Sequence, residues 1–213
     1  MSSPAVDAWA DLAAPWQECF GLAWAAFQVG SIPVGAVLVD GSGATVAIGR
    51  NRAKDLTAPA GQIAGSNIAH AEVNALATLP PGDYGDHVLY TTVEPCLLCT
   101  AALRHSHVGA VRFATNDPMW YGIDTLPGLN HNLARRWARR IGPLDGPLQV
   151  WAALLHIVSA LERGIRSVVD AHTEAMPATV RLARRLATPD AATLRAMTLT
   201  GALAALWDDL AAC

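Results

Sequence analysis

The stretch His87-Val88-Leu89-Tyr90-Thr91-Thr92-Val93-Glu94-Pro95-Cys96-Leu97-Leu98-Cys99 changes period in its middle. Residues 87–93 are rich in β-branched and aromatic side chains and read as a strand. Pro95 suits a turn from strand to helix, because the first helical positions need no backbone donor and proline arrives with φ already set. Residues 96–106 are then expected to be helical, and residues 110–114 to form the next strand. A strand, a covering helix and a further strand imply a parallel pair. Ligands of such sheets bind at the carboxyl ends of strands, which is where the cysteines lie. Three residues apart at a helix start, Cys96 and Cys99 share a face and can both reach one ion. The positive end of the helix also favours thiolate over thiol.

Upstream, His70-Ala71-Glu72 places an imidazole and a carboxylate 24 residues before Cys96. Catalytic zinc takes three protein ligands and keeps a fourth position for water, and His70, Cys96 and Cys99 are ligands of suitable softness. Glu72 is left over as a proton carrier. A structural zinc site would want a fourth protein ligand, and no obvious one is nearby. A bare dithiol reading would leave His70 and Glu72 without a task. Residues two apart on a regular helix do not face each other, so spacing alone does not put Glu72 beside the ion.

Outward from these clusters, Trp16, Phe20, Trp24 and Phe27 recur at helical spacing after Pro15, which predicts an amphipathic helix over 15–28. Residues 33–39 are apolar and end at Asp40-Gly41-Ser42-Gly43, with 44–49 following, the pattern of a hairpin whose first strand is buried. Residues 51–67 are polar and punctuated by Pro59, Gly61 and Gly65, so they read as a long loop of the kind that forms binding elements. Residues 69–78 look helical and stop at Pro80-Pro81-Gly82. Beyond Asp124 the pattern becomes helical near 130–141, 146–163, 165–175, 178–187 and 190–211, with breaks at Gly142-Pro143, Gly164, Pro177 and Pro189. No internal repeat is present.

The 213 residues allow one ordinary domain plus an extension. Although 52% of them are hydrophobic, each apolar run is broken well short of the roughly 18 residues that a membrane span needs, so no membrane partner is expected. The first basic residue is Arg50, so the N-terminus lacks the features of a secretory or transit segment, and a cytoplasmic location is expected. Of four cysteines two form the C-x-x-C, which favours metal over disulfide chemistry. Cys19 reads as a small core hydrophobe, and Cys213 has no readable role. Residues 1–130 carry 5 basic and 11 acidic side chains, against 10 and 7 in residues 131–213. The motif-bearing part therefore offers little electrostatic footprint for a nucleic acid. Arg135, Arg136, Arg139 and Arg140, with Arg181, Arg184 and Arg185, could suit RNA but read first as a solvated helix face. His156 and His172 lack ligand partners at recognisable spacing and read as ordinary surface or core residues.

The H-x-E…P-C-x-x-C pattern resembles that of the cytidine deaminase superfamily. Within it, the sequence resembles the branch of tRNA adenosine deaminases, guanine deaminases and related nucleoside deaminases. The resemblance runs from about Trp16 to Asp117 through Pro33-Val34-Gly35-Ala36-Val37, Asn51, His70-Ala71-Glu72, Thr92-Val93-Glu94-Pro95-Cys96 and Cys99. Residues 125–213 depart from the short ending of the tRNA enzymes, and the loop after Asn51 is longer than theirs. The resemblance implies a three-layer α/β fold whose mixed sheet has an N-terminal antiparallel hairpin and then parallel strands. It also implies a zinc-dependent deaminase domain over 1–127, and the helical pattern beyond it predicts an extension over 128–213 packed on the core or on a subunit interface.

By the same resemblance, His70, Cys96 and Cys99 hold Zn²⁺, and Glu72 carries protons. Asn51, Val34, Asp117 and the backbones of Ala71 and Glu94 contact the substrate, with Trp120 and Tyr121 as candidate ring platforms. The expected reaction is hydrolytic deamination of a free nucleobase or nucleoside by a homodimer. One alternative is a tRNA adenosine deaminase making inosine. Another is a non-catalytic binding or scaffold protein that kept the fold, against which the presence of Glu72 argues. Purine and pyrimidine rings are not distinguished by these residues.

Overall fold

Strand β1 (Gly35–Val39) is buried along its whole length, and its alternation assigns one residue set to each face of the sheet. Val37 and Val39 join the larger hydrophobic cluster, whereas Ala36 and Leu38 join the smaller one. The computed structural model describes residues 3–187 and 190–213. Around β1 the five strands stand in the order β2-β1-β3-β4-β5, with β2 at Thr45–Arg50, β3 at Val88–Val93, β4 at Ala110–Thr115 and β5 at Arg139–Ile141. β1 is antiparallel to both β2 and β3, while β3, β4 and β5 run parallel, so the predicted mixed sheet is present.

Helices cover both faces. α1 (Pro4–Ala10) and α2 (Ala14–Gln28) precede the sheet; α3 (Ala71–Leu76) and α4 (Leu97–His105) lie between strands. The short α5 (His131–Ala134) leads to β5, and α6 (Pro147–Glu162), α7 (Arg166–Ala175), α8 (Pro177–Leu186), α9 (Asp190–Arg195) and α10 (Leu199–Ala211) complete the chain. On one face α3 and α4 bury Ala71, Ala75, Leu76 and Leu103 against Leu38, Leu89 and Val111. On the other, the predicted aromatic stripe of α2 meets α6, with Trp24 and Trp151 stacked at 5.7 Å. α6 is buried on nearly every side, so the extension supplies a layer of the core. Among the described residues, no helix is long and apolar enough to cross a membrane.

Three expectations need correction. Residues 130–141 are not a helix: α5 is four residues long and Arg139–Ile141 adds an edge strand to β4. The single helix expected over 190–211 is two, α9 and α10, and the expected break at Pro189 lies outside the described residues. α1, capped by Ser3, was not foreseen.

Two local devices fix the approach to the site. Gly49 on β2 has no side chain because one would meet the carbonyl oxygen of Ala71 at 2.3 Å and the amide nitrogen of Ala75 at 2.4 Å, so α3 seats directly on the strand. The long loop after Asn51 is pinned by Asn74 of α3, whose amide donates to the carbonyls of Arg50 and Ile63 and accepts from the Ile63 N–H.

The loop's other anchor is Asp55, which accepts from Arg50, Arg52 and Ser31. Burial pushes the Asp55 carboxyl up, but the bonds from Arg50, Ser31 and Arg52 and the Arg50 charge outweigh it and hold it below the usual carboxylate range. Its folded pKa is thus lower than its unfolded one. The stabilisation is complete above the unfolded value of about 3.9 and is lost as pH falls through the folded value. Urea midpoints for the parent and Asp55→Asn should therefore differ at pH 7 and converge as the pH falls through the folded value. A gap that is constant with pH would assign the anchor to neutral hydrogen bonds.

Candidate active site

His70 is the N-cap of α3, with extended backbone at φ −71° and ψ 154°, and Glu72 lies in the first helical turn. The helix therefore begins between them, and residues two apart are aimed at one place without obeying helical spacing. Cys96 is likewise the N-cap of α4 and Cys99 lies one turn in. Both helices start beside the carboxyl end of β3, which brings the two clusters together.

The sulfurs of Cys96 and Cys99 are 3.6 Å apart, and His70 Nδ1 is 3.6 Å from the first and 3.3 Å from the second. With Zn–S bonds of about 2.3 Å and Zn–N bonds of about 2.0–2.1 Å, a tetrahedral ion has S–S edges of about 3.8 Å and S–N edges of about 3.6 Å. The triad matches these edges and its donor types suit zinc, so the residues fit the ion. The hydrogen-bond contact with Cys99 and then that with His70 pull the Cys96 thiol down to about 4 against the cost of burial. A thiolate is the form a metal takes.

Glu72 is 3% exposed and lies outside the triad. Its Oε1 accepts from the Thr91 hydroxyl at 3.0 Å, and its Oε2 accepts from Cys99 Sγ at 3.2 Å. Burial first, and the Cys96 charge second, push the Glu72 carboxyl above its usual range. Thr91 was missed in the sequence, although strand alternation puts it on the same face of β3 as Leu89 and Val93, toward α3.

A cavity of about 160 Å³ opens at the triad. Of the candidate substrate contacts, Val34, Asn51, Glu94, Asp117 and Trp120 line it together with Glu72. Asn51 is buried and its Oδ1 is held by the Ala53 N–H, which leaves the amide nitrogen as its remaining donor. Ala71 is fully buried and does not line the cavity. Tyr121 is 96% exposed and belongs to a neighbouring cavity of about 750 Å³. The extension contributes His156 of α6 to the small cavity, which the sequence did not suggest.

Glu94 is held from the far edge of the sheet. Arg140 on β5 donates to Glu94 Oε1 at 2.7 Å and to the Thr100 hydroxyl, and Glu94 Oε2 accepts from the Asp117 N–H. Arg140 is therefore buried and paired, contrary to the solvated face expected for it, whereas Arg135, Arg136 and Arg139 are exposed. Arg140→Ala should cost about 1.5–3 kcal/mol, because the half-buried Glu94 carboxylate loses its charged partner and keeps the Asp117 N–H. Chemical denaturation measures this, and a loss below about 1 kcal/mol would class the pair with solvated surface bridges.

The model of the cytidine and deoxycytidylate deaminase zinc-binding region matches residues 13–115. The chain is 36% identical over 69 residues to the tRNA-specific adenosine deaminase subunit tad2 of Schizosaccharomyces pombe, covering 30% of this chain and 18% of that protein. It is 30% identical over 118 residues to the tRNA-specific adenosine deaminase of Aquifex aeolicus, covering 51% of this chain and 72% of that one. The crystal structure of NE0047 in complex with 2,6-diaminopurine superposes with a TM-score of 0.51 at 22% identity, over 76% of this chain and 92% of that one, a likeness of fold. The chain thus spans less than a fifth of the fission-yeast subunit, but most of the Aquifex enzyme. Because the matched region runs from α2 to the end of β4 and contains the whole triad and Glu72, the chain belongs to the cytidine deaminase-like superfamily of zinc-dependent deaminases.

Proposed function

We propose that this protein hydrolytically deaminates a free nucleobase or nucleoside, exchanging an amino group for a carbonyl oxygen and releasing ammonia. The observation that carries the reading is the small cavity in which Glu72 lies beside the His70–Cys96–Cys99 triad. Zinc held by His70, Cys96 and Cys99 would supply Lewis acidity, making a water acidic enough to act as a nucleophile near neutral pH. Glu72 takes a proton from the attacking water and gives it to the ring nitrogen beside the amino-bearing carbon. A second transfer through the same carboxylate releases ammonia. Its buried position, kept by Thr91, holds the carboxylate at the cavity and away from bulk solvent. Asn51 offers an amide donor, Val34 an apolar wall and Trp120 a ring face to a flat heterocycle.

About 160 Å³ suits one heterocycle, below the roughly 300–1,000 Å³ of pockets for larger ligands. Charge favours a free substrate. The larger cavity that shares Glu94 and Asp117 with it also carries Asp124 and Glu174. Arg140 is already engaged by Glu94 and Asp124. Phosphates flanking a flipped base would meet carboxylates there. The likeness to the Aquifex tRNA-specific enzyme supports a second reading, deamination of an adenosine in tRNA. Ammonia release from a panel of free bases and nucleosides, run beside an inosine assay on tRNA, separates the two. Turnover of at least one free compound is expected, and activity confined to tRNA would overturn the first reading.

A further inference from the structure

We propose that Asp117, His156 and His172 form a second metal site, distinct from the cysteine-containing triad, for a divalent first-row transition ion such as zinc. One donor atom from each lies within 4.8 Å of the others. The three come from separate elements: Asp117 follows β4, His156 is on α6 and His172 is on α7. Asp117 is 7% exposed and His172 is fully buried.

The hydrogen bonds say what is missing. His172 Nδ1 lies 2.8 Å from the carbonyl oxygen of Val168, which only accepts, so a neutral ring there carries its proton on Nδ1 and presents a lone pair at Nε2. That Nε2 is buried and has no partner. His156 has no partner at either ring nitrogen, and a neutral imidazole carries a lone pair on one of them. Burying such groups unpaired is costly. The rings are tilted by 48° with centroids 5.6 Å apart, so they are not stacked face to face. A cation would give the lone pairs a partner, and Asp117 would supply the anionic ligand; one of its oxygens also accepts from the Met119 N–H. Anchoring a histidine by its other nitrogen to a backbone carbonyl is how proteins orient metal ligands. Two imidazoles and a carboxylate suit divalent ions from manganese to zinc.

No ligand is shared with the triad, but His156 and Asp117 both line the small cavity, so an ion here would stand in its wall. Its remaining coordination positions would take a water or a substrate oxygen or nitrogen.

Cobalt(II) titration of the metal-stripped full-length protein tests this. Two equivalents per chain are expected, one with the intense thiolate-to-cobalt charge-transfer band of a cysteine site and one with only weak visible bands. His156→Gln and His172→Gln should each lower the stoichiometry from two to one and keep the charge-transfer band. Cys96→Ala should remove that band and leave the second equivalent. A parent protein that binds a single equivalent overturns the proposal without recourse to any variant. So does a second equivalent that survives both histidine substitutions.

Discussion

A Glu72→Gln variant is expected to turn over about 10²–10⁴-fold more slowly than the parent while keeping its full complement of zinc. The substitution keeps length and shape. Its amide oxygen can still accept from Thr91, and its NH₂ can face the Cys99 sulfur, the two partners that Glu72 has now. What disappears is a group that can take up and release a proton. Glu72 is not one of the three clustered donors, so metal content should not change. Steady-state ammonia release on the best compound of the panel, with metal analysis of the same preparation, reads both quantities. Turnover within a factor of three of the parent would mean that another group carries the proton, and parallel loss of zinc would make Glu72 a ligand.

The separation of ligand from proton carrier was legible in part. Cys96 and Cys99 could be read directly, because Pro95 marks where their helix begins and three-residue spacing then puts both on one face. The hairpin and the parallel crossover followed from turn residues and apolar runs in the same way. The joint action of His70 and Glu72 could not be read from periodicity, since it depends on α3 starting between them. Only the fold-wide resemblance supplied it.

Longer-range placements were lost for a different reason. β5 is three residues, Arg-Arg-Ile, held by backbone pairing at an edge, and it has no apolar alternation to announce a strand. Arg140 therefore looked like part of a basic face, while its partner Glu94 is 46 residues earlier. His156 sits in a helix buried on almost all sides, where a lone histidine reads as core. His172, on the following helix, reaches it only because α7 packs back on α6. In each case the information is tertiary contact between segments whose local patterns are silent.

Removal of Cys99 should have the largest effect on the metal. The residue is 1% exposed and its sulfur is a corner of the triad, the donor of a hydrogen bond to Glu72 and a neighbour of Cys96 at 3.6 Å. Cys99→Ala leaves one thiol and one imidazole, a set too small to hold a catalytic zinc against competition from water. Losing an outer hydrogen-bond partner of a ligand already costs about 10–100-fold in metal affinity, and losing a ligand itself should exceed that. Dialysis against a mild chelator followed by metal analysis should show this site emptied in the variant and filled in the parent, with ammonia release falling to background. Cys99→Ser, which keeps the size and most of the hydrogen bonding, separates the metal's role from packing. It should remain folded by circular dichroism yet still lose the ion, because an alkoxide is far harder to form than a thiolate. Should both variants retain the thiolate-site zinc, the third protein donor would have to come from elsewhere in the cavity. Glu72, 3.2 Å away, would then be acting as a ligand and could not also serve as the free base.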